Sequence, residues 1–162
     1  MSTRTRWTGR VVGALVVLAA LPGLAGCTPA DKPAIALSNV GGRPTVLIVN
    51  CSDFAIDTVN VDAEADATAW SASTESAAGP DQVVLFEAPA GWTATERTLT
   101  DLKPGASYTI TAFARAKRAV PIRFTVDQFD QLGADQVLAG DPGSTAEVVS
   151  DKKFREKAAD AC

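Results

Sequence analysis

The sequence predicts an all-β domain, an antiparallel β-sandwich closed by a short C-terminal helix. Three observations carry this. Apolar and β-branched runs of four to eight residues recur along the chain. Gly, Pro, Asn and Asp punctuate them at short intervals, and helical periodicity is almost absent before residue 150. Short alternating strands separated by turn residues are the pattern of a sandwich, because each strand buries one face and exposes the other.

The strands follow in order. Ile35–Ser38 leads into the turn signal Asn39-Val40-Gly41-Gly42-Arg43-Pro44. Thr45–Cys51, "TVLIVNC", is β-branched and apolar and reads as a central strand with Leu47, Val49 and Cys51 on one face. Ile56–Ala63 alternates, with Val59, Val61 and Ala63 inward. Trp70 marks a further strand, and "QVVLFEA" (82–88) another before the Pro89-Ala90-Gly91 turn. Thr93–Leu102, Ser107–Arg115 and Pro121–Phe129 complete the set. Glu147-Val148-Val149 is a short edge strand. Ser150 is a good N-cap for "DKKFREKAADAC", whose Phe154, Ala158 and Ala161 share one face.

Ahead of these strands lies a different kind of segment. Residues 1–10 hold Arg4, Arg6 and Arg10 and no acid, and residues 11–26 are rich in Val, Leu and Ala. A basic start, a short apolar run and small residues at its exit mark an export signal. Pro22 and Gly23 interrupt the run before the roughly 20 apolar residues of a spanning helix. The four residues that follow, Leu24-Ala25-Gly26-Cys27, resemble the lipobox of bacterial lipoproteins at every position. The resemblance implies a diacylglyceryl group on the Cys27 sulfur and cleavage before Cys27. It also implies a mature protein held by that lipid on the extracytoplasmic face of the cell membrane. Two acyl chains are enough for such an anchor, at about 0.8 kcal/mol per buried CH₂. The organisation expected is a signal peptide over 1–26, a lipidated tether over 27–34 and the sandwich domain over 35–162.

The leader holds three of the 15 basic residues and none of the 19 acidic ones, so the remainder carries 12 against 19, a formal charge of −7. That balance speaks against nucleic acid and anionic surfaces as general partners. With Cys27 lipidated, Cys51 and Cys162 form an even pair in an oxidising compartment, and one disulfide is their simplest use. Two free thiols, with Cys51 packed in the core, is the alternative.

Residues 99–111, Leu99-Thr100-Asp101-Leu102-Lys103-Pro104-Gly105-Ala106-Ser107-Tyr108 and on to Thr111, resemble the E–F corner of fibronectin type III and other immunoglobulin-like domains. The resemblance implies an immunoglobulin-like sandwich with Leu99 and Leu102 in the core and Pro104-Gly105 at the turn. Tyr108, the sole tyrosine, would bond through its hydroxyl to a backbone acceptor at the corner.

Chemistry is constrained mainly by what the chain lacks. It contains no histidine, which removes Ser-His and Cys-His nucleophiles and most zinc and copper sites. Ser150-Asp151-Lys152-Lys153 spells S-x-x-K without the companion motifs, and a capped helix with solvated lysines accounts for it. Asp127, Asp130, Asp135 and Asp141 read as surface acids, and no calcium-loop spacing is present. No catalytic residue, metal ligand or cofactor is assigned. The basic turn "ARAKRAVPIR" (114–123), with Arg115, Lys117, Arg118 and Arg123, reads as a solvated hairpin tip and is the one candidate contact for an acidic partner. The function expected is a lipid-anchored, non-catalytic interaction or adaptor module that meets another envelope protein. The alternative is an envelope carrier of a small apolar ligand or lipid, which requires a deep apolar cavity.

Overall fold

Chain reversal at Asn39–Arg43 starts the fold. The computed structural model describes residues 31–76, 79–115 and 117–162. Strands β1 (Ile35–Val40) and β2 (Arg43–Ile48) pair in register around Gly41 and Gly42, both at positive φ (62° and 84°). Two left-handed residues in a two-residue loop match the twist of the flanking strands, and only glycine adopts both at no cost. Asn39 Oδ1 accepts from the Gly42 amide at 2.8 Å and closes the turn.

Two antiparallel sheets form the sandwich. The first runs β11 (Glu147–Ser150), β10 (Gln136–Ala139), β1, β2, β5 (Gln82–Val84). The second runs β6 (Thr93–Arg97), β4 (Ala69–Ser73), β3 (Thr58–Ala63), β7 (Ser107–Ala114). On its far side β7 pairs with β8 (Lys117–Arg118) and then β9 (Ile122–Thr125).

Between the sheets lie Ile35, Leu37, Val46, Ile48, Val59, Val61, Trp70, Tyr108, Ile110, Phe124 and Leu138, all 2% exposed or less. Alternation along β3 and β7 places these residues inward, as their sequence pattern requires. The continuous apolar run of β2 has a different cause: both of its faces are covered. Val46 and Ile48 face the second sheet, while Leu47 packs outward with Ala36 and Val137 under Phe154 and Ala158 of helix α2 (Asp151–Asp160). The sandwich thus carries a helix on one side. Cys51 lies past the strand end and belongs with the inner core, so it does not share the face of Leu47 and Val49.

The strands expected to reach Cys51, Ala88 and Leu102 end sooner, at Ile48, Val84 and Arg97, and three further segments differ in kind. The strand expected over Pro121–Phe129 stops at Thr125, and helix α1 (Val126–Asp130) follows. Thr125 and Gln128 form a reciprocal capping box: the Thr125 amide donates to Gln128 Oε1 at 2.9 Å and the Gln128 amide to Thr125 Oγ1 at 3.3 Å. Strand β10 was not anticipated, although it joins β1 to the edge strand β11. Residues 31–34, read from the sequence as tether, are already built in. Val120 donates to the Lys32 carbonyl at 2.8 Å and Ala34 is buried.

The corner at 99–108 forms, with two corrections. Leu99 is buried, Leu102 is half-buried and Gly105 holds the turn at φ 74°. The bond at Tyr108 has the opposite polarity: its hydroxyl accepts from the Lys103 amide at 2.9 Å. The strand before the corner is β6, in the same sheet as β7, whereas E and F of an immunoglobulin fold lie in opposite sheets. The chain changes sheets earlier, between β5 and β6. Tyr108→Phe is expected to leave the Lys103 amide unpaired, at a cost of about 1–3 kcal/mol. Ser107→Ala should cost less than about 0.5 kcal/mol. Melting curves of the two variants check this, and equal midpoints would show that the hydroxyl does nothing for stability.

Candidate functional site

The richest concentration of polar groups gathers at one pole of the sandwich, where residues 31–34, the 51–57 loop and the β7–β8 turn meet. Asp53 is the hub. Lys32 Nζ reaches its Oδ1 at 3.2 Å and Lys117 Nζ reaches its Oδ2 at 2.9 Å. Lys32 also stands 5.8 Å from the Phe54 ring centroid, within cation–π range. Beside this group Arg118 donates to Asp31 Oδ2 through Nη2 at 2.7 Å and Nε at 3.2 Å. The Lys117–Asp53 and Arg118–Asp31 pairs connect positions 64 and 87 residues apart.

Next to the hub opens a cleft of about 330 Å³, bounded by Asp53, Asp57, Glu75 and Arg115. Asp57 organises it. Its Oδ2 accepts from the Arg115 amide at 2.7 Å and its Oδ1 from Thr58 Oγ1 at 2.9 Å. Its own amide donates to the Phe113 carbonyl, and its carbonyl accepts from Thr74. The Arg115 backbone is left-handed (φ 56°), which costs an L residue roughly 1–2 kcal/mol. The charge-assisted bond to Asp57 offsets that cost. Held in this way, Arg115 lines the cleft and has no ion pair among the described residues.

The expected basic patch is therefore divided. Lys117 and Arg118 are neutralised by Asp53 and Asp31, Arg115 lines the cleft, and Arg123 lies along β9 opposite Thr109 of β7. The acids that do this, Asp31, Asp53 and Asp57, were not singled out from the sequence; no local spacing announces pairs so far apart. Asp127, Asp130, Asp135 and Asp141 take no part in the pole. Asp141 accepts instead from Ser144 Oγ at 2.5 Å in its own loop.

Electrostatics at the pole follow the contacts. The Lys117 ammonium hydrogen-bonded to Asp53, and Lys32 after it, hold the Asp53 carboxyl below its ordinary 3.8. Asp31 beside Arg118 raises the guanidinium further above its usual range. With the folded value of Asp53 below the unfolded one, the linked stabilisation is present above 3.8 and lost as the pH falls through the lower folded value. Wild type is expected to melt higher than Asp53→Asn at neutral pH, and the gap should close as acid protonates Asp53. A gap independent of pH would remove the linkage.

Both oxygens of Asp57 hold the fold, and both oxygens of Asp53 are taken by lysines. Among the described residues no group of three or more Cys, Asp or Glu is placed to hold a metal ion. The same pole carries the one covalent cross-link described. Cys51 and Cys162 are joined, with Cα atoms 5.3 Å apart, the ordinary span of a disulfide. Cys27, the expected lipid site, lies outside the described residues. Among those residues no helix is long and apolar enough to cross a membrane. No protein-family model, curated protein or solved structure matches the chain.

Proposed function

We propose that the protein is a lipid-anchored component of the bacterial cell envelope, working without catalysis as an interaction or adaptor module on the extracytoplasmic face. One observation carries this reading: the sequence Leu24-Ala25-Gly26-Cys27 after a basic and then apolar leader. The Cys51–Cys162 disulfide agrees with an oxidising compartment. Two packed antiparallel sheets and the Tyr108 corner support an immunoglobulin-like reading, although β6, the strand before the corner, lies in the sheet of β7. Such domains serve widely as recognition scaffolds, a fold-level analogy only. The interior supports a module over a carrier, since large side chains led by Trp70, Tyr108, Phe54 and Phe124 fill the space between the sheets.

Cys27→Ala tests the anchor. The variant is expected to leave the membrane fraction or to stall as uncleaved precursor without lipid. A variant that still fractionates as wild type, at the mature mass, would overturn the lipobox reading. Cross-linking in intact envelopes tests the interaction. A discrete heterologous adduct supports the module, and a chain that stays monomeric with every reagent speaks against it.

A further inference from the structure

Away from the polar cleft, α2 and the edge of the first sheet frame a second depression of about 280 Å³. Its walls are apolar: Pro33, Ile35, Val149 and Phe154. Glu147, Lys153 and Lys157 are the charged side chains that line it. Lys153 and Lys157 stand one helical turn apart and share a face of α2. The other two cations of that helix are engaged, Lys152 with Glu156 and Arg155 with Asp151. Lys153 and Lys157 have no ion pair among the described residues. An apolar trough edged by two unpaired ammonium groups suits a ligand with a hydrocarbon part and an anionic head.

We infer that this groove docks an anionic phospholipid of the membrane that carries the protein, with the phosphate on Lys153 and Lys157 and hydrocarbon along Pro33, Val149 and Phe154. The inference rests on the lipobox reading of Cys27. Pro33 is itself part of the wall, and six residue steps separate it from Cys27, at most about 20 Å of extended chain. A lipid on Cys27 thus holds the groove within reach of headgroups and raises their effective concentration there. The negative charge of the whole domain is no obstacle at this range. Fields of distant exposed charges are screened beyond about 8–10 Å, whereas the two lysines act at contact. One lipid anchor leaves a domain free to swivel; a second contact on α2 gives it a preferred face toward the bilayer.

The test uses the full lipidated chain reconstituted in phosphatidylcholine vesicles with and without phosphatidylglycerol. Brief acetylation followed by peptide mass spectrometry reads each lysine. With phosphatidylglycerol, Lys153 and Lys157 are expected to react roughly fivefold more slowly, while Lys152 and Lys103 keep their rates. Glu147→Gln should deepen the protection, since it removes the carboxylate beside the two lysines, and high salt should release it. Equal rates in the two vesicle types overturn the inference. So does protection by dispersed decanoate without protection by vesicles, which would make the groove a carrier site. The intact mass at Cys27 separates the two readings. A missing diacylglyceryl mass fails the anchor, whereas a lipidated chain whose lysines ignore phosphatidylglycerol fails the groove alone.

Discussion

Trp70→Ala is expected to destabilise the domain by about 3–5 kcal/mol, the usual result of deleting a fully buried aromatic ring. Trp70 is 2% exposed and is the largest side chain in the core. It points inward from β4, opposite Val61 on β3, and meets Phe86 edge-on with ring centroids 6.1 Å apart. Phe86 is held in a left-handed conformation (φ 68°) as the chain leaves β5, so the indole supports the passage from one sheet to the other. The substitution removes the contact and leaves a cavity that rigid strands on both sides cannot fill. Against a total stability of about 5–15 kcal/mol the loss is severe. It should lower the melting temperature by about 6–30 °C, at roughly 2–6 °C per kcal/mol for a domain of this size. Glu96→Ala on the exposed edge strand is the control and should stay within about 0.5 kcal/mol. A mild Trp70→Ala variant would mean that the sheets can close over the gap.

An effect of similar size is expected from Cys162→Ser. The disulfide spans a sequence separation of 111, and closing so long a loop stabilises by about 4–5 kcal/mol in the chain-entropy model. Cys162 is exposed, so serine there introduces no buried polar group and isolates the cross-link; Cys51 is 8% exposed and would mix two effects. The loss should appear first in α2. A helix of ten residues is too short to persist in water by itself, and the side chains it buries are Phe154 and Ala158. Hydrogen exchange is the sensitive measure. Amides of α2 should lose most protection, and those of β3 and β7 should change only as far as global stability falls. Unchanged exchange in α2 would show that Phe154 alone holds the helix down.

The parts legible in the sequence were those with local causes. Alternation along β3 and β7, the Gly41-Gly42 reversal, the Ser150 cap and the apolar face of α2 are written in neighbouring residues. The Tyr108 corner was legible for the same reason, although its hydrogen bond runs the other way. Ile122, Phe124 and Val126 alternate as a strand would, and that pattern hid the capping box that turns the chain into α1 at Thr125. The four residues of β10 are too few to stand out, and they form a strand because β1 and β11 flank them. The polar pole was not legible at all. Its pairs, Asp53 with Lys117 and Asp31 with Arg118, exist because folding brings distant loops together.

The link between Cys51 and Cys162 also changes the connectivity of the molecule. Residues 51–162 form a closed ring, and the residues before 51 leave it as a tail. A protease that cuts one loop of the ring, such as the Pro89–Gly91 or Asp141–Ser144 turn, opens a circle and releases nothing. Both pieces stay joined to each other and to the tail until a second cut or a reductant intervenes. A single surface nick therefore need not release any fragment of the domain.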